Sequence, residues 1–435
     1  MQRSSGFLWC SLLVTVACGG GGSGDDDPGS LPQVKGVEVA KSRLAHIETP
    51  DTGNVRALGS SNQAFAFDMY KQVAALNAGK NLVFSPYSIS TALAMTYAGA
   101  RGTTAQEMKS ALHFDLEQPA LHEAFNAAAL GLAARGKGLT GADGTPFQLN
   151  VSNSIWQQRD YQAVPSFLDT LALHYDAPVY LTDFAGAPEP ARSAINAWVG
   201  SKTENLIPSL LPPGSITSLT RFVLTNTVYF NASWKTKFEK GATRPAPFTR
   251  VDGTEVEVDT MHAGMSLPYA RGSNYTAVAL PYASEELSFL ALLPDEGKLS
   301  EVEAGLNVAW FDALRGRLAP ASVQLSFPKM DYQMHASLVA VLKGLGVRAA
   351  FEDADFSGMT SGTVKITDVV HQAVIKVFEG GTIAAAATAV VASDDSEPQF
   401  DQTVRLDRPF LYAIVDAPTG QVLFLGRVMD PTPAK

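Results

Sequence analysis

Glu379-Gly380-Gly381-Thr382-Ile383-Ala384-Ala385-Ala386-Ala387-Thr388-Ala389-Val390-Val391-Ala392-Ser393 is the stretch on which the reading of this 435-residue chain turns. From Thr382 onward it has no charge, no proline and no large ring. Side chains of an extended strand alternate between two faces. Thr382, Ala384, Ala386, Thr388, Val390 and Ala392 would share one face, and Ile383, Ala385, Ala387, Ala389, Val391 and Ser393 the other. Both faces are small and neutral, so the segment could enter the middle of a packed sheet without burying a charge. Composition alone also fits an Ala-rich helix. Gly380 and Gly381 before the run, and Asp394, Asp395, Glu397 and Pro398 after it, favour an exposed loop from Glu379 to Phe400 on a flexible base.

The sequence around this loop is strand-rich. Phe222 to Tyr229, Ala277 to Leu280, Leu287 to Leu293, Val323 to Pro328 and Val364 to Val377 read as strands. Phe410 to Asp416 and Val422 to Val428 form a hairpin across Ala417-Pro418-Thr419-Gly420. The first half is helical. Ala64 to Leu76 has apolar residues at helical spacing with Asn62 placed to cap it. After the short extended piece Asn81 to Phe84, Ser85-Pro86 opens a second helix through Tyr97, and Thr103 to Leu112 begins a third. Helices and strands do not alternate regularly, which predicts an α+β fold in one large domain.

Three separated stretches resemble the serpin family. The first is Asn81-Leu82-Val83-Phe84-Ser85-Pro86-Tyr87-Ser88-Ile89 with Ala94 to Gly102 and Thr103-Thr104. The second is Leu224-Thr225-Asn226-Thr227-Val228-Tyr229-Phe230 with Trp234 and Phe238. The third runs from His371-Gln372-Ala373-Val374 through Glu379 to Thr382, then Arg408-Pro409-Phe410 and Phe424 to Pro431. Together they span about residues 60 to 432 in the family's order.

The resemblance implies a serpin fold of three β-sheets and about nine helices with an exposed reactive-centre loop, here at about 379–400. It implies suicide inhibition of a serine-type protease, with no catalytic group, metal or cofactor of the inhibitor's own. A protease cuts the loop and forms an acyl-enzyme; the cut loop then inserts into the main sheet and carries the protease across the molecule. In the family's pattern Glu379, Gly380, Gly381, Thr382, Ala384 and Ala386 form the hinge. Ser88, Asn226 and His371 match the shutter under the parting strands, and Trp234 matches the residue where the loop first enters. Counting sixteen places from Glu379 puts the reactive bond at Asp395-Ser396, which suits an Asp-specific protease, caspase-like or granzyme-like. If the acids only keep the loop solvated, the cut lies within Val390, Val391, Ala392 and Ser393 and suits elastase-like or subtilisin-like enzymes. The expected partner is a serine-type or cysteine-type endopeptidase in a covalent 1:1 complex with a monomer. The alternative is a non-inhibitory serpin acting as a carrier, chaperone or adhesion module; bulky or charged hinge residues would mark that class, and they are absent here.

Arg3, the apolar Phe7 to Ala17 and Thr15-Val16-Ala17-Cys18 resemble a bacterial lipoprotein signal, so residues 1–17 read as a signal peptide and Cys18 as the lipidated residue. Residues 18–58 read as tether and lead-in, and 59–435 as the folded domain. This predicts an exported outer-membrane lipoprotein at the cell surface or in the periplasm, touching the membrane only through its lipid; plain secretion stays open because Thr15 is an uncommon start to the box. The only cysteines, Cys10 and Cys18, lie in this region, so the folded part has no disulfide and no thiol nucleophile. A net charge of −10 without a Lys/Arg cluster excludes an ordinary nucleic-acid binder. Gly136-Lys137-Gly138-Leu139-Thr140-Gly141 fits a dinucleotide fingerprint but follows an Ala-rich helical segment instead of a strand. No motif for a hydrolase is present. His46, His113, His122, His174, His262 and His335 look scattered, as surface or packing residues.

Overall fold

The computed structural model describes residues 36–142, 144–382 and 400–432. Its strands begin with β1 (Glu38–Ala40), β2 (Leu82–Phe84), β3 (Gln148–Gln158), β4 (Val179–Thr182), β5 (Phe222–Ser233), β6 (Arg244–Thr249), β7 (Glu255–Arg271) and β8 (Tyr275–Pro281). They continue with β9 (Leu287–Pro294), β10 (Ala319–Pro328), β11 (Met330–Ser337), β12 (Asp368–Phe378), β13 (Gly381–Thr382), β14 (Gln402–Arg405), β15 (Phe410–Asp416) and β16 (Val422–Val428). The helices are α1 (Val55–Leu76), α2 (Pro86–Tyr97), α3 (Gly102–Ala111), α4 (Gln118–Arg135), α5 (Pro165–Tyr175), α6 (Pro188–Lys202), α7 (Leu299–Gly305), α8 (Val308–Arg317) and α9 (Val339–Gly344). The described residues thus form the expected α+β fold with nine α-helices.

Hydrogen bonding joins the strands into two sheets where three were expected. One has seven strands in the order β1-β4-β3-β5-β13-β12-β11. The other has nine, running β14-β10-β7-β8-β9-β15-β16-β2 with β6 paired to β7. The merger has a single cause. β7 is seventeen residues long; its first part pairs with β6, its middle with β10 and its last residues with β8, so one strand serves two regions of sheet.

Local sequence explains the elements that position the site. Ser85 caps α2 by accepting from the Ser88 amide at 3.2 Å, with Pro86 in the first turn as predicted. The first helix differs from expectation. It starts at Val55, and Asn62 lies buried within it, where its Oδ1 accepts the Val422 amide at 2.8 Å. A polar residue in that spacing served a tertiary bond to β16 in place of a cap. Both β1 and the start of α1 fall inside the stretch read as tether and lead-in. Gly136 to Gly141 turns off the end of α4 toward a bridge between Thr140 and Pro146, and no strand precedes it. Among the described residues no helix is long and apolar enough to cross a membrane, and no group of three or more His, Cys, Asp or Glu could hold a metal.

The apolar core lies between the two sheets and under α1 and α2, with buried polar residues such as Asn62, Asn226 and His371 set into it. A second cluster, Trp156, Tyr180, Trp198 and Val370 among its members, fills the space between the outer face of the seven-stranded sheet and α6. Packing of this density tolerates little added volume. At Gly426 on β16, a Cβ would come within 2.2 Å of the Leu82 carbonyl oxygen and 2.4 Å of the Tyr412 hydroxyl. Gly426→Ala is therefore expected to destabilise the native fold by about 1–3 kcal/mol, measured as a lower urea midpoint with an unchanged slope.

Candidate functional site

Two parallel strands at the centre of the seven-stranded sheet define the site. β5 and β12 pair directly from Val223 with Asp368 up to Val228 with Ala373. Above that level they part, and β13 fills the gap. Gly381 and Thr382 pair antiparallel with Phe378 and Val377 on one side and with Ser233 and Ala232 on the other. The chain leaving the top of β12 thus turns back and places two residues between the two strands.

The turn that permits this is held on several sides. Glu379 is 7% exposed, and its Oε1 accepts from the Thr243 hydroxyl at 2.8 Å and from Lys329 Nζ at 3.4 Å. Burial works to raise its pKa, but its own backbone amide, Thr243 and Lys329 outweigh that and keep the carboxylate below its usual range. The Glu379 and Gly380 carbonyls accept the Phe238 and Trp234 amides, each at 3.0 Å. Gly381 adopts φ +153°, and a Cβ there would lie 2.1 Å from the Ala232 carbonyl oxygen, so only glycine fits. Thr382 is buried, and its Oγ1 lies 2.7 Å from the Tyr282 hydroxyl. Trp234 stacks on Tyr282 at 4.7 Å and donates its indole N–H to the Phe378 carbonyl at 3.0 Å.

Half-way down the same seam a polar row crosses three strands. Asn153 of β3, Asn226 of β5 and His371 of β12 are register partners. Asn226 donates its amide to Ser88 Oγ of α2 and to Asn153 Oδ1, both at 2.5 Å. His371 Nδ1–H donates to Asn226 Oδ1 at 2.5 Å, while His371 Nε2 accepts the Ser85 amide at 3.2 Å. Accepting from a backbone amide fixes the neutral tautomer. Burial lowers the His371 pKa to about 3, a bond to Asn226 opposes this, and the His335 charge adds to the lowering. The imidazole therefore stays uncharged at neutral pH, with both nitrogens occupied.

This arrangement lacks a nucleophile–base pair. What it offers is a seam between β5 and β12 whose top is held apart by Gly381 and Thr382. The serpin family model, described as serine protease inhibitor, matches residues 60–431. The chain belongs to the serpin family. It is 36% identical over 385 residues to an uncharacterised serpin-like protein of Thermococcus kodakarensis, covering 87% of each chain. It is 35% identical over 389 residues to the leukocyte elastase inhibitor of Bos taurus, covering 86% of this chain and 99% of that one. In three dimensions it is similar to the thermophilic serpin tengpin in its native state, with a TM-score of 0.80 at 30% identity, over 90% of this chain and 100% of the other. Serpins are protease inhibitors and not enzymes, which agrees with the chemistry of the site.

The structure brings several of the sequence-predicted site residues of this serpin together. Ser88, Asn226 and His371 meet in one hydrogen-bonded group, and Glu379, Gly380, Gly381, Thr382 and Trp234 meet at the top of the seam. Cys18, Ala384, Ala386, Val390, Val391, Ala392, Ser393, Asp395 and Ser396 lie outside the described residues. Sequence reasoning missed Asn153, Tyr282, Thr243 and Lys329. Asn153 could have been found, because it sits at an alternate position of a strand whose neighbours Ile155 and Trp156 are apolar. The other three have no local signal, since their role arises only through contacts at long range.

Removing Asn226 would leave Ser88 Oγ, Asn153 Oδ1 and His371 Nδ1 without their partner in a buried place. An unsatisfied buried group costs about 1–3 kcal/mol. Asn226→Ala is expected to lose about 3 kcal/mol of native stability. Differential scanning fluorimetry would record it as a lower melting temperature.

Proposed function

We propose that this serpin is an inhibitor that traps a serine-type protease as its acyl-enzyme by inserting its own loop between β5 and β12. The observation that carries the reading is β13, with Thr382 already seated between the two strands.

The register supports how far insertion can run. Each residue added after Thr382 meets one residue further down both β5 and β12. Thr388 would then stand between Asn226 and His371, and Val391 between Val223 and Asp368, where the direct pairing of β5 and β12 ends. The slot therefore takes about the length of the uncharged run Thr382 to Ser393. Residues of even number would face the core, where Ala232 and Val377 flank Thr382, and odd ones would face α6, beside Val223 and Val370. Thr388 would offer a hydroxyl to Asn226 and His371 as it parts them. Asp394 and Asp395 lie past the end of the slot, so their charges need never be buried.

In the reaction the protease serine oxygen attacks the carbonyl carbon of Asp395. The bond to the Ser396 nitrogen breaks, that amine leaves with a proton, and an ester joins the two proteins. Insertion then outruns hydrolysis. About fourteen residues rising roughly 3.3 Å each move the bound protease on the order of 45 Å. The driving force is the extra strand with its full set of backbone bonds, held back in the native state by kinetics. A cut within Val390 to Ser393 would leave a shorter strand and a shorter reach, so the register supports Asp395-Ser396. The reading includes a covalent 1:1 complex with one monomer, no cofactor, and export with a lipid on Cys18 as the tether to the membrane.

Incubation with elastase-like, subtilisin-like, trypsin-like and Asp-specific proteases should give an SDS-stable adduct with at least one of them, and the mass of the released peptide locates the cut. Clean cleavage without adduct across the panel would assign the chain to the non-inhibitory serpins. Thr382→Arg and Thr388→Lys should each turn the inhibitor into a substrate, because a charge must enter the sheet at the top or at the shutter. Ser396→Lys, beyond the slot, should still permit an adduct. Trapping by the Thr388→Lys variant at the wild-type ratio would refute the register.

A further inference from the structure

Three histidines that look scattered in the sequence converge in the fold. His122 of α4 is 3% exposed; its Nδ1 lies 2.7 Å from the Tyr175 hydroxyl, while its Nε2 is buried without a partner. Its ring stacks on that of His174 of α5 at 6.2 Å and 28°, and His174 Nδ1 is buried and unpartnered as well. His46 lines the same cavity of about 260 Å³ as His174, on the segment between β1 and α1. It donates from Nε2 to Asn126 Oδ1 of α4 at 2.8 Å, and Asn126 Nδ2 donates to the Ile47 carbonyl at 2.7 Å.

The segment 41–51 is strapped to α4 and α5 almost entirely through such polar contacts. The Ile47 amide donates to the Leu173 carbonyl at 3.0 Å, the Asp51 amide to Glu123 at 3.1 Å, and the Ser42 hydroxyl to Asp169 at 2.5 Å. Lys41 lies 3.4 Å from Asp176. The charged groups facing the imidazoles are Glu48, Glu123 and Asp176, with Lys202 of α6 on the cavity wall; α2 contributes Tyr87 and β3 contributes Ser152 and Asn153, all neutral. No carboxylate contacts either orphaned nitrogen.

We propose that this cluster is an acid-operated clasp: below about pH 6 the segment 41–51 comes away from α4 and α5. A proton on either inner ring of the closed clasp would make a cation whose N–H finds no acceptor, where burial already disfavours the charged form. A released ring is in water and takes its proton near pH 6.5. Burial, helped by the charge of His174, holds His122 at about 3, and burial lowers His174 too. Above about pH 6.5 both forms are neutral and the clasp keeps its full margin; as the pH falls from there toward 3, the closed form loses about tenfold per unit through His122, and more through His174. The consequence reaches the sheet, because Asn153, which lines this cavity, is a partner of Asn226. The inference stands independently of whether the loop traps a protease.

Hydrogen exchange of the full chain, corrected for the intrinsic rate and compared at about pH 7.5 and about pH 5, tests this. Residues 41–51 and the facing turns of α4 and α5 should exchange at least about tenfold faster at the lower pH, while the β15–β16 hairpin keeps its protection. The double variant His122→Phe, His174→Phe should abolish the difference. Equal protection of the wild-type segment at both pH values overturns the proposal, as does a double variant that keeps the full acid response, which would assign it to the carboxylates. If the hairpin shows that the double variant does not fold, His122→Gln is measured instead and should shrink the response. Peptides from β5 and β12 report the separate effect of His371.

Discussion

The bond between Asn226 and His371 joins the two parallel strands at the centre of the seven-stranded sheet. β5 and β12 close the lower half of the seam, and among the described residues Gly381 and Thr382 stand between them at its top. A parallel pair at the centre of a mixed sheet is a weak point, since a third strand running against both would complete two antiparallel ladders. The rest of the molecule is arranged around that weak point. α2 lies beneath it and supplies Ser85 and Ser88, β3 braces it through Asn153, and the aromatic pair Trp234 and Tyr282 closes its upper end.

Keeping such a seam shut depends on neutral polar groups. An imidazole with one nitrogen donating and the other accepting is satisfied only while uncharged, and burial keeps His371 so at neutral pH. Charge is used at the hinge instead, where Glu379 meets Lys329 and Thr243. The division has a reason. Lys329 reaches solvent and answers the buried Glu379 carboxylate, whereas a charge at His371 would sit fully buried with no counter-ion.

Much of this was legible before any coordinates. The Ser85-Pro86 helix start and the hairpin across Ala417 to Gly420 are local patterns, and local physics decides them. The matched residues Ser88, Asn226 and His371 were found by resemblance, and their geometry then gave each a partner. What stayed hidden was set by distance along the chain. Asn62 has the look of a helix cap and instead bonds Val422, 360 residues away. The fusion of two sheets through β7 depends on which neighbours a long strand finds, and no window of sequence contains that. Tyr282 and Lys329 acquire their roles because the chain returns to them from Glu379 and Thr382. Likewise His46, His122 and His174 form one cluster only after α4 and α5 pack together.

Gly381 carries a consequence for how such a chain can change over time. Its place against the Ala232 carbonyl fixes which residue stands first in the gap, so under the proposed insertion every later residue would take its side by parity. Adding or removing one residue between Gly381 and Thr388 would exchange the two faces from there on and set Ala387 or Ala389 where Thr388 would meet the polar row. Adding residues after Asp395 would alter neither face. Under the proposed insertion the loop would divide into a counted part and an uncounted part. Changes of length would be tolerated in the second, while the first would have to hold its number as strictly as its composition.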